Sequence, residues 1–202
     1  MTRKLLALPA LMCVVMGIAS FARADVIDNG NVLEQSRILI DAGQTESARE
    51  LLEPYIFSGG PRMDYAEYLM ALTTFSDTDA DAPRKAVDLL RRRYPDSKFS
   101  ALALYKLAQF YRVSLRDPAR AVAAYSQFLS SYPSDALARE SQLWLCSALI
   151  DAGQYDRAIA AVHQALAIYE YERQEKSILD GLLDFAKQNT GRQPSGGVTI
   201  EV

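Results

Sequence analysis

Leu39-Ile40-Asp41-Ala42-Gly43-Gln44 recurs letter for letter as Leu149-Ile150-Asp151-Ala152-Gly153-Gln154, at an offset of 110 residues that is close to three units of 36 to 37. A second echo lies between the two copies, Tyr94-Pro95-Asp96-Ser97 and Tyr132-Pro133-Ser134-Asp135. Internal similarity at such a period marks an array of small helical units, each unable to bury its apolar face alone. The echoes are punctuation. Glycine tolerates the left-handed backbone that closes a helix, and proline cannot continue one. Asp117-Pro118 adds a start signal, a carboxylate at the N-cap followed by proline at the first helical position.

Between these marks the apolar residues fall at helical spacing, as in Leu102, Tyr105, Leu107, Ala108 and Tyr111, then Ala121, Tyr125, Phe128 and Leu129. The pattern predicts helix pairs over about 32–57, 62–94, 98–132 and 135–170, and a last helix over about 173–188. Before the tail no stretch reads as a strand.

The units resemble tetratricopeptide repeats, helix-turn-helix modules of about 34 residues. In the third unit Leu104, Leu107, Ala108, Tyr111, Ala121, Tyr125 and Pro133 take the family's large, large, small, aromatic, small, aromatic and proline positions, with one extra residue in the turn. Leu145, Cys146, Leu149, Gly153, Tyr155, Ala158 and Leu166 carry the likeness in the fourth. Leu39, Gly43, Ala48 and Leu52 do so in the first, where polar Ser36 fills a small position. The second unit departs furthest, with the acidic stretch Asp77 to Asp81 for a turn and a second helix about one turn short. The resemblance implies an all-α fold, a right-handed α-solenoid of about four repeats over 25–170. It is closed by a capping helix over 171–190 and followed by a flexible tail over 191–202.

The form Ala-x-x-x-Tyr-x-x-Phe-Leu-x-x-Tyr-Pro at Ala121 to Pro133 is similar to repeats of bacterial envelope proteins. Two such groups are the periplasmic coordinator that accompanies the Tol-Pal system and the helical lipoprotein of the outer-membrane β-barrel assembly machine. This likeness implies an envelope location and a scaffold that binds envelope proteins.

The first residues point the same way. Thr2, Arg3 and Lys4 precede an apolar run from Leu5 to Ile18, which is followed by the small-x-small site Ala22-Arg23-Ala24. That layout predicts a signal peptide over 1–24, cleaved after Ala24, and a periplasmic product without stable membrane insertion. The run is shorter than the roughly 20 residues that cross a bilayer. Cys13 follows bulky Met12 inside the apolar run, which argues against lipid attachment.

The chain of 202 residues carries a net charge of −3, and losing Arg3, Lys4 and Arg23 with the leader makes it more acidic still. Nucleic acid is therefore not an expected partner, since its affinity rests on neutralised phosphates. Arg91-Arg92-Arg93 is a local exception, read as a solvated helix end that complements the dipole, with a phosphate or headgroup role as the alternative.

Material for catalysis is scarce. His163 is the only histidine, so a multi-histidine zinc site is impossible. With the leader gone Cys146 is the only cysteine, and its place at a close helix approach reads as a buried small hydrophobe. Asp77, Asp79 and Asp81 alternate like part of a calcium loop but lack the glycine turn and terminal glutamate. Ser58-Gly59-Gly60-Pro61 lacks the lysine of a phosphate loop. The sequence thus predicts a non-enzymatic protein with no cofactor and no metal. An accessory or processing component acting on peptidoglycan or exported polysaccharide is the other reading.

Stacked helix pairs expose the first helix of each unit on a concave face. Setting Gly43 and Gly153 at equivalent turns places Arg37 and Ile40 of the first unit there. Tyr65, Tyr68, Leu72 and Phe75 follow from the second, Leu102, Tyr105, Gln109 and Arg112 from the third, and Leu143, Ser147 and Ile150 from the fourth. This wall is rich in aromatic and aliphatic side chains, which suits a partner helix or extended peptide. The C-terminal Val198-Thr199-Ile200-Glu201-Val202 alternates like a strand-former that could add to a sheet edge, or else frays.

Overall fold

A computed structural model describes residues 29–191. The leader, Cys13, the cleavage site after Ala24 and the Val198–Val202 segment lie outside the described residues. Nine α-helices follow one another within this span: α1 (Asn29–Asp41), α2 (Thr45–Phe57), α3 (Met63–Thr73), α4 (Ala82–Arg93), α5 (Lys98–Gln109), α6 (Pro118–Ser131), α7 (Ala138–Asp151), α8 (Tyr155–Ile168) and α9 (Arg173–Asn189). The described residues contain no strand. Each helix packs on the next, while α1, α3 and α5 also touch in sequence as a continuous row. The architecture is an all-α array of four helix hairpins, α1/α2 through α7/α8, with α9 laid against α8 and α7.

Both hexapeptide copies close their helices identically. Gly43 (φ 75°) donates its N–H to Ile40 O at 2.9 Å, and Gln44 to Leu39 O at 2.8 Å. Gly153 (φ 66°) and Gln154 repeat these bonds to Ile150 O and Leu149 O, both at 2.9 Å. This double closure satisfies two orphan carbonyls and needs a residue free to adopt positive φ. The Tyr-Pro joints also match. Tyr94 (φ −131°, ψ 64°) and Tyr132 (φ −134°, ψ 56°) leave the helical region as the following proline requires. Asp117 Oδ1 then accepts from Arg120 N at 2.9 Å as the N-cap of α6.

The core has one register throughout. Ser36, Ala71, Ala108 and Cys146 are buried at equivalent places on the first helices. Opposite them the second helices bury Ala48/Leu52/Tyr55, Pro83/Val87/Leu90, Ala121/Tyr125/Phe128 and Ala158/Val162/Ala165, always at i, i+4 and i+7. Small residues at the crossing let the helices approach, and the larger ones fill the layer beside it. The second unit fits after all. The 310 turn Thr74–Ser76 extends its first helix, and Pro83 at the start of α4 takes the small position.

The extra residue of the third unit is taken up by a wide π-helical turn, Phe110–Ser114, that continues α5. Such a turn holds one more residue than an α-turn. Two residues beyond it the chain turns at Arg116, whose φ of 49° is left-handed.

Helix α9 buries Leu179 and Ala186, and Phe185 packs edge-on against Tyr155 at 6.1 Å. Ile178 and Phe185 nevertheless stay about half exposed.

Ser36 tests the crossing constraint directly, because its Oγ is buried without a hydrogen-bond partner among the described residues. Replacing Ser36 by Ala removes an unsatisfied polar atom and should stabilise the array by about 1 kcal/mol. Ser36→Leu should destabilise it by about 1–3 kcal/mol through overpacking. Urea denaturation followed by circular dichroism reads both; equal effects from the two substitutions would contradict a close crossing at this position.

Candidate partner-binding groove

The inner row α1, α3 and α5 opens into a cavity of about 590 Å³ near the C-terminal ends of those helices. Its walls are Ile40, Leu72, Phe75, Phe110 and Val113, with Thr45, Ser76, Lys106, Gln109 and Ser114 at the polar edge. Phe75 meets Phe110 edge-on at 5.0 Å, which fixes the back of the cavity. Val113 is 61% exposed at its mouth. Lys106 is exposed and forms no ion pair with any described residue.

Four of the residues singled out from the sequence therefore converge here: Ile40, Leu72, Phe75 and Gln109. Three others do not line an open wall. Tyr68, Tyr105 and Leu143 are buried in the inter-repeat core, and the inner-face reading of them is corrected accordingly. For Tyr68 the reason is the stacking of first helices, which turns a position facing the next repeat into a contact, whereas Tyr105 turns towards the second helix of its own hairpin. Tyr68 lies between Tyr65 at 6.1 Å and Phe99 at 5.5 Å. Tyr105 packs edge-on to Tyr125 and Phe128. Half-buried Tyr65, Leu102, Ser147 and Ile150 lie along the row outside the cavity. Arg37 is held by Glu34 and Asp41 on its own helix.

Further along the row the groove becomes polar. Tyr105 donates its hydroxyl to Glu140 Oε1 at 2.7 Å and accepts from Gln109 Nε2 at 2.6 Å. Trp144 Nε1 donates to the same Glu140 oxygen at 3.0 Å. The guanidinium of Arg112 stacks over the Trp144 ring, 4.1 Å from its centroid, which presents a cation supported by an aromatic face. Arg112 Nε itself is buried without a partner among the described residues. Lys106, Phe110, Val113, Glu140 and Trp144 were not singled out from the sequence. The surplus residue between Tyr111 and Ala121 was the available signal for the first group, since the π turn is what carries Phe110 and Val113 to the cavity.

The residues weighed for chemistry are otherwise engaged. Asp77 pairs with Arg49 at 2.9 Å, Asp79 with Lys85 at 3.1 Å and Asp81 with Arg120 at 3.2 Å, so the acidic loop ties repeats together. No group of three metal-ligating side chains converges among the described residues. Arg91 reaches Ser131 Oγ at 3.1 Å, Arg93 holds Glu67 at 2.6 Å, and Arg92 is left exposed. His163 is exposed on α8. Cys146 is fully buried, and burial pushes its thiol up to about 12. No described helix is long and apolar enough to cross a membrane.

Comparison with known proteins agrees with this geometry. The tetratricopeptide repeat family matches residues 102–135, which span most of α5, the π turn and α6. A candidate kinesin light chain of Podosopora anserina with nearly identical TPR-like repeats is 17% identical, with a TM-score of 0.56 over 81% of this chain and 87% of that one. The MamA protein of AMB-1 is 18% identical, with a TM-score of 0.56 over 83% of this chain and 85% of that one. No curated protein matches the chain. The fold is that of tetratricopeptide-like arrays, and its third hairpin matches the tetratricopeptide repeat model.

Burial of the inner-row aromatic residues sets an alkaline limit on the scaffold. Burial pushes the Tyr68 phenol up to about 12, and burial followed by the bond to Glu140 raises Tyr105 as well. The folded values lie above the ordinary 10.0 for tyrosine and 9.0 for cysteine. The folded state therefore resists ionisation, and stability that is full below about pH 9 should fall as pH rises towards 12. Urea midpoints measured across that range should drop, with the thiolate absorbance of Cys146 and the tyrosinate absorbance of the buried phenols appearing only on unfolding. A flat midpoint would contradict the burial.

Proposed function

We propose that this protein is a non-enzymatic periplasmic scaffold that captures an envelope protein in the cavity between α1, α3 and α5. The observation that carries the reading is the 590 Å³ apolar cavity on the inner row, flanked by a lysine that has no ion pair among the described residues. A partner helix or extended segment would seat one or two large apolar side chains against Leu72, Phe75 and Val113. Acidic groups beside them would meet Lys106, and Arg112 on its Trp144 platform. Repeats of this class act as protein-binding scaffolds, which supports the reading, as does the leader-like N-terminal sequence Thr2 to Ala24.

The test begins with a photo-crosslinking residue at Val113 in cells, to identify what docks there. Leu72→Asp should then lower affinity for the crosslinked protein by roughly thirty-fold or more, the size of a central hot-spot loss. Lys106→Glu should slow association and change its salt dependence more than its dissociation. Capture unaffected by Leu72→Asp, with helicity unchanged, would remove the cavity as the site. Fractionation of tagged cells checks location: cytoplasmic retention would overturn the periplasmic part.

A further inference from the structure

The opposite side of the first two repeats carries a feature that inner-face capture does not use. Phe57, the last residue of α2, is 94% exposed. It stands at the lip of a second cavity of about 330 Å³ bounded by α2, α3 and α4, with Ile56, Met70, Ala71, Leu89 and Leu90 as its apolar lining and buried Glu67, held by Arg93, also among its walls. Leu89 is also exposed. A cavity of about 150 Å³ already accommodates benzene, so this one has room for a phenyl ring. The Phe57 ring stays outside, at its edge.

The charges around the cavity divide by helix. On α2 the residues in line with Phe57 are Glu46, Glu50 and Glu53, at i−11, i−7 and i−4. On α4 the residues in line with Leu89 are Lys85, Arg92 and Arg93. Glu53 and Arg93 both line the cavity, on its two sides. Glu50, Glu53 and Arg92 are exposed and form no salt bridge within the described residues. An acidic stripe whose Glu50 and Glu53 have no ion pair among the described residues thus ends in an exposed phenyl ring, beside a helix whose Arg92 is likewise unpaired and whose Lys85 and Arg93 are held by Asp79 and Glu67 at the border of the cavity. One face carries a plug and a socket, each with the charge the other would attract.

We propose that this face pairs with a second copy of the chain about a two-fold axis, each Phe57 entering the cavity between α2 and α4 of its partner. The same rotation sets the acidic stripe of each α2 against the basic stripe of the opposing α4. A two-fold contact is isologous and closes at two copies, so the product is a dimer rather than a filament. The inner-row cavity faces away from this contact and remains open in both copies, so the pairing stands independently of partner capture.

Sedimentation equilibrium on the full purified chain tests the pairing. The wild-type protein should dimerise, and Phe57→Ala should weaken the dimer by roughly thirty-fold, as for a central aromatic anchor. Glu53→Lys and Arg92→Glu should each weaken it, and the two together should restore it, because the exchanged charges meet again across the axis. Circular dichroism on each variant verifies the fold. Crosslinking at Val113 should be the same in wild-type and Phe57→Ala protein, which separates this result from the fate of the groove. A wild-type chain that is monomeric up to its solubility limit overturns the pairing. So does a dimer indifferent to Phe57→Ala, or one in which the double charge exchange fails to recover what the single exchanges lose.

Discussion

Close approach of two helices at a small residue, repeated four times, is the constraint from which the rest of this structure follows. Ser36, Ala71, Ala108 and Cys146 on the first helices meet second helices that are small at Ala48, Pro83, Ala121 and Ala158. A larger side chain at any of these places would push one hairpin open and tilt those stacked on it. Because the crossing recurs in one register, the hairpins stack with their first helices in a row, and α1, α3 and α5 touch directly. The inner wall is a consequence of that row.

Polar contacts fasten the stack where apolar packing thins. Asp64 accepts from Ser97 at 2.6 Å across the second and third hairpins, and Glu140 joins the third and fourth through Tyr105 at 2.7 Å. Glu67 takes a place that Val32 and Leu104 fill elsewhere, and is buried. Arg93 and the Tyr94 hydroxyl satisfy its carboxylate, at 2.6 and 3.3 Å. Removing either partner would leave that carboxylate buried and uncompensated, which is strongly destabilising. The Asp77–Asp81 loop belongs to the same system, since its carboxylates pair with bases from the first, second and third hairpins.

Much of the fold was legible in the sequence because helix closure has few chemical solutions. The glycine of Leu-Ile-Asp-Ala-Gly-Gln and the Tyr-Pro pair each dictate a local geometry, and both geometries occur twice as read. The groove was legible only in part. Periodicity says which side of a helix turns inward, but whether an inward position meets solvent or the next helix depends on how tightly hairpins stack. Tyr68 and Tyr105 fell on the buried side of that distinction, Leu72 and Phe75 on the open side. The surplus residue in the third unit was visible, whereas its resolution as a π turn carrying Phe110 and Val113 to the cavity depended on backbone geometry. Phe57 gave no signal at all, since an aromatic residue at a helix end reads as core until its surroundings are known.

If the inner wall captures a protein as proposed, the three successive hairpins that build it should register that partner in the backbone of all three. Amide hydrogen exchange, measured with and without the captured protein, tests this most directly. The account predicts slowed exchange in the last turns of α1 and α3 and in Phe110–Ser114, with α2, α4 and α6 unchanged. Protection confined to α2, α4 and α6 would contradict it.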